Sequence, residues 1–66
     1  MDLKRLRKTS GLSQWSAARR SGVPRMRLSL AETGQLTLKP DEETALYRVL
    51  HDEIEARQKQ LEEAAV

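Results

Sequence analysis

Apolar residues fall into separated groups along this chain, and their spacing is helical throughout. Met1, Leu3 and Leu6 share one face of a helix, with Lys4, Arg5, Arg7 and Lys8 around the rest, so a short basic helix is expected first. Thr9-Ser10-Gly11 ends it, Gly11 being suited to a left-handed cap. Ser13 can then accept a hydrogen bond from a first-turn amide and open a second helix, from about Gln14 to Ser21. Gly22 permits a sharp turn, and Pro24 suits the first turn of a third helix that runs over about 24–33 to Gly34. Residues 35–39 form a short loop without the composition of a linker. Pro40, followed by Asp41, Glu42 and Glu43, starts a last helix, with carboxylates at the positive end of its dipole. Nothing interrupts that helix before about Ala64. The expected fold is therefore all-α, with helices one to three in residues 1–39 and one long helix in 40–66, making a single domain.

The interior positions of the second and third helices specify how they meet. Ala18 and Gly22 supply the small residues that a close crossing needs, while Ala17, Val23, Leu28 and Ala31 face inward. That leaves Arg25, Met26, Arg27, Ser29, Leu30 and Thr33 outward on the third helix. Two helices joined by such a turn can lay the second in the major groove of double-stranded DNA. Arginine is the usual bidentate partner of guanine there, and Gln14 can reach an adenine edge or a phosphate.

Charge strengthens this picture. Residues 1–39 carry nine Lys and Arg against Asp2 and Glu32, a net of +7, whereas residues 40–66 carry Arg48, Arg57 and Lys59 against eight carboxylates, a net of −5. The first half suits a polyanion and the second would be repelled by it. Contacts to base edges are expected from Gln14, Arg25, Met26, Arg27, Ser29 and Leu30. Contacts to phosphate are expected from Arg5, Lys8, Ser13, Trp15, Arg19, Thr33 and Lys39.

Size bears on association. A chain of 66 residues without Phe or Cys has a poor core, no disulfide and no cysteine-based zinc site, so a partner subunit is the expected supplement. Tyr47, Leu50, Ile54, Arg57 and Leu61 recur at heptad-like spacing on the long helix and form the expected seam of a homodimer, Arg57 filling its one polar gap. Leu46 and Val49 lie on an adjoining face that can pack back onto the first helices. No apolar run approaches the length of a membrane span, and no signal-peptide apolar region is present. The expected location is cytoplasmic, on the nucleoid.

The pattern Leu12-Ser13-Gln14, Ala17-Ala18, Gly22-Val23, Leu28-Ser29 and Glu32-Thr33-Gly34 resembles the phage-repressor-like helix-turn-helix family, also called the xenobiotic-response-element type. The resemblance covers roughly residues 3–50. It implies a lambda-repressor-like bundle, base contacts from Arg25, Met26 and Leu30, a phosphate or base contact from Gln14, and a structural or phosphate-side role for Glu32. It also implies a bacterial or phage source and a repressor acting on a palindromic operator. Ser21 departs from the family, which has an apolar residue there, and one long fourth helix replaces the family's shorter fourth and fifth.

Other classes stay in play. An antitoxin-type autorepressor would use the acidic helix to grip a partner protein, and a protein-interaction module would bind no DNA at all. Catalysis has little to stand on: His51 is the sole histidine, and no Cys or neighbouring Ser completes a nucleophile–base pair. His51 and Glu55 share a helix face, but two ligands without a third do not hold a metal. No cofactor is expected.

Overall fold

In the computed structural model, which describes residues 2–65, the chain is all-helical: α1 (Leu3–Ser10), α2 (Gln14–Ser21), α3 (Arg25–Glu32) and α4 (Pro40–Ala65). Met1, expected on the inner face of α1, lies outside the described residues. α1 and α2 start where a side chain accepts from the first free amides, and α3 and α4 start at prolines. Asp2 caps α1, accepting from the Lys4 amide at 3.1 Å and the Arg5 amide at 3.4 Å. Ser13 caps α2 through the Ser16 amide at 3.0 Å. Pro24 stands just before α3 with extended backbone rather than inside its first turn. Pro40 opens α4, whose preceding residue Lys39 donates its amide to the Glu42 carboxylate three positions on at 3.0 Å, the reciprocal half of a capping box.

Gly22 turns between α2 and α3 with φ 79°, a left-handed conformation that only glycine adopts without strain. Ser21 supports the same turn. Its hydroxyl donates to the Ala18 carbonyl at 3.3 Å and accepts from the Val23 amide at 3.3 Å, so a polar residue serves the turn here.

The core is small. Ala17, Ala18, Val23, Leu28, Leu38, Leu46 and Leu50 are buried, with Leu3, Leu6, Leu12 and Ala31 packed around them. Ala17 and Ala18 let α2 approach α4 and α3 closely, and α4 lies across α1 and α2. Leu38, in the segment expected to be plain loop, is buried in this core. Ser10 is fully buried as well; its hydroxyl donates to the Arg7 carbonyl and accepts from the Leu12 amide at 3.2 Å, so burial leaves it no unmet bond.

At 1.5 Å per residue α4 is about 39 Å long, and the molecule measures 43 × 19 × 18 Å. Only the first half of α4 has a body to lie on. Leu46 and Leu50 are buried and Val49 is half-buried, whereas residues 55–64 are exposed. Leu50 thus belongs to the protomer's own core and not to the expected dimer seam. Arg57 also leaves the seam: its guanidinium lies over Gly11 at the end of α1, where any Cβ would collide with it. A cation there sits at the negative end of the α1 dipole.

Candidate nucleic-acid interface

Two ion pairs set the position of α3. At its C-terminal end, Arg7 of α1 donates from Nε to Glu32 at 2.7 Å and from a terminal nitrogen at 3.1 Å, while its other terminal nitrogen reaches the Leu12 carbonyl at 2.9 Å. The Glu32 side chain is 1% exposed. Its remaining partner is the Gln14 side-chain amide, which donates at 3.1 Å. Glu32 is therefore structural, and the network ties α1, the start of α2 and the end of α3 together. Gln14 is held half-buried with its side chain anchored to Glu32 rather than swinging freely.

Nearer the other end of α3, Arg27 donates two hydrogen bonds to Glu42 of α4, both at 2.7 Å. These bonds, with the one from the Lys39 amide, hold the Glu42 carboxyl down from 4.5 to about 2. The same hydrogen bond to Glu42 raises Arg27 above its ordinary value. Arg27 was expected among the outward base-contacting residues; the structure turns it toward α4 instead, because a carboxylate at the start of α4 lies within reach of its planar fork.

The other expected base-contacting residues come together. Gln14, Arg25, Met26, Ser29 and Leu30 line one open depression of about 390 Å³. Its chemistry is mixed: an exposed guanidinium, an amide, a hydroxyl and two apolar side chains, with Met26 75% exposed. Arg25 also borders a second depression with Trp15 and Arg19 across the α2–α3 turn. Trp15 is 57% exposed, and the Arg19 guanidinium stands over its ring at 5.1 Å from the centroid, a cation–π contact that stiffens both. A cation, an indole and a second cation thus form a shelf beside the first depression.

The residues expected to touch phosphate are less unified. Arg5 and Lys8 line a separate depression on α1 with Asp2, Lys4 and Thr9, and neither borders the Gln14–Leu30 depression. Ser13 uses its oxygen to cap α2. The Thr33 hydroxyl donates to the carbonyls of Ser29 and Leu30 at 3.3 and 3.1 Å, and Lys39 is exposed beside the start of α4. The residues missed from sequence are those that brace the site: Glu42 for Arg27, and Arg7 for Glu32 and Gln14. The spacing of Lys39 and Glu42 bears only on the Lys39 amide and gives no sign of Arg27. No local signal pairs Arg7 with Glu32.

Among the described residues no helix is long and apolar enough to cross a membrane. Comparison of the chain with protein-family models, with curated proteins and with solved structures gives no match.

Proposed function

We propose that this protein is a sequence-specific DNA-binding regulator of the phage-repressor-like helix-turn-helix type, with α2 and α3 as the helix pair and α3 in the major groove. The observation that carries the reading is the depression lined by Gln14, Arg25, Met26, Ser29 and Leu30. It joins the amino-terminal residue of one helix to the outward residues of the next, on the basic half of the molecule. Arg25 would pair with a guanine through its two-pronged face, and Met26 and Leu30 would lie against a thymine methyl. Gln14, anchored by Glu32, would present what remains of its amide to a base or phosphate. The Trp15–Arg19 shelf and Lys39 would follow the backbone on either side. Arg27 keeps α3 fastened to α4 and reads nothing. As a homodimer the protein would present two α3 helices to a palindromic operator as a repressor, about 34 Å apart.

The test uses the full chain and duplexes selected from a random pool. Arg25→Ala should cost about 1–3 kcal/mol on a selected duplex, relax preference at one base pair, and leave binding to unselected duplex nearly unchanged. Lys39→Ala should weaken both alike and flatten the salt dependence by about one unit. Equal loss on both duplexes for Arg25→Ala would remove its base-reading role. Failure of the wild type to bind any duplex at moderate salt would end the DNA reading altogether.

A further inference from the structure

With Leu50 in the core and Arg57 over Gly11, the outer stripe of α4 is rotated from the seam expected from sequence. The stripe that stays free is Tyr47, His51, Ile54, Gln58 and Leu61, spaced 4, 3, 4 and 3. It is a regular heptad face lying about 100° round the helix from Leu46 and Leu50. Tyr47 and Ile54 are half-buried, Leu61 is 71% exposed, and the Tyr47 and His51 rings lean on each other with centroids 6.3 Å apart. The stripe passes from the body onto the projecting end of α4, where none of the described residues covers it.

We propose that this stripe is the docking surface for a second copy of the chain, joined as a parallel, in-register pair of α4 helices; the inference rests on the dimer in the functional reading and names its interface. Layer chemistry sets the orientation. In register and parallel, Tyr47, Ile54 and Leu61 each meet their own kind, and His51 and Gln58 each meet a hydrogen-bonding twin. Run antiparallel, the same layers would set Ile54 against His51 and Tyr47 against Gln58, burying polar groups against apolar ones. Charge beside the seam agrees. Residues five apart face each other across a parallel pair, which sets Glu43 against the partner's Arg48. Among the described residues neither side chain forms an ion pair within the protomer, and both are exposed. The polar His51 and Gln58 layers would fix register at some expense of affinity.

The experiment uses the full chain, which has no cysteine of its own. Leu61→Cys is expected to form a disulfide-linked dimer under a mild oxidant, because in-register partners bring those positions within disulfide reach. Glu63→Cys, on the outer face, should not. In an antiparallel pair of the same layers the two introduced cysteines would be about 25 Å apart and no link would form. By sedimentation over a range of concentrations, Arg48→Glu should weaken self-association roughly ten-fold, since two repulsive pairs replace two attractive ones. Adding Glu43→Lys to Arg48→Glu should restore it. Dimers that neither cross-link through position 61 nor respond to the charge swap would overturn this interface while leaving the dimer reading intact. A wild-type chain that stays monomeric at every concentration, with and without duplex DNA, would overturn both.

Discussion

Arg7 and Arg27 each grip a glutamate with two nitrogens, yet the two grips stand in different surroundings. Glu32, held by Arg7, is 1% exposed and Arg7 itself 11%. Glu42, held by Arg27, is 15% exposed and Arg27 33%. Geometry alone would rank them the other way, since both contacts of Arg27 are at 2.7 Å whereas those of Arg7 are at 2.7 and 3.1 Å. Surroundings decide what each is worth. Removing one partner of a sealed pair strands a charge away from water, whereas at the rim water takes the vacant place. The sealed pair therefore acts as a keystone for α1, α2 and α3, and the rim pair as a fastening between α3 and α4.

The largest expected effect comes from breaking the sealed pair. Glu32→Ala leaves Arg7 and the Gln14 amide without their acceptor and should cost about 3–5 kcal/mol. A domain this small holds little more than that, so the variant should be largely unfolded by circular dichroism at room temperature. Replacing both partners with apolar residues of similar size, Arg7→Met with Glu32→Leu, should recover much of the loss in urea unfolding. Equal destabilisation by single and double variants would mean the pair stabilises on its own account.

Glu42→Gln should cost less than Glu32→Ala and should act mainly through pH. Because folding holds the Glu42 carboxyl down from 4.5 to about 2, its contribution is fully present above the unfolded value and is lost as pH falls through that interval. Wild-type thermal stability should therefore fall between about pH 5 and 2, and the Gln variant should fall less steeply over the same window. Identical acid limbs would detach Glu42 from the stability of α4. The smallest effect belongs to a third pair, Arg20 with Glu53 at 3.1 Å, whose side chains are 45% and 28% exposed. Glu53→Ala should cost about 0–1 kcal/mol and nothing measurable in high salt.

Helix ends were readable because their causes are local. Ser13, Gly11, Gly22 and Pro40 each act on amides and dihedral angles within a few residues, and all four helices begin and end within a residue or two of expectation. The gathering of Gln14, Arg25, Met26, Ser29 and Leu30 was readable for a similar reason: helical period fixes which residues of α3 point outward once Leu28 points in. What escaped depended on partners distant in sequence. Nothing near Arg27 reveals that Glu42 will reach it, and nothing near Glu32 reveals Arg7. The rotation of α4 escaped for another reason. Tyr47–Leu50–Ile54 and Leu46–Leu50–Arg57 are both helical stripes, about 50° apart in phase, and only packing against α1 and α2 selects which faces inward. Leu38 escaped because a core residue in irregular backbone has no periodicity to betray it.

The continuity of α4 has a consequence for how such a chain could change over generations. One unbroken helix carries Leu46 and Leu50 inside the body and Leu61 beyond it, so the angle between the body and the projecting end is a matter of residue count alone. Inserting a single residue between Ile54 and Leu61 would swing everything distal by about 100° while leaving every buried contact in place. Inserting seven would return it to within about 20°. Reading-frame-preserving insertions in this short stretch are thus a cheap route to new assembly geometries built on an unaltered body.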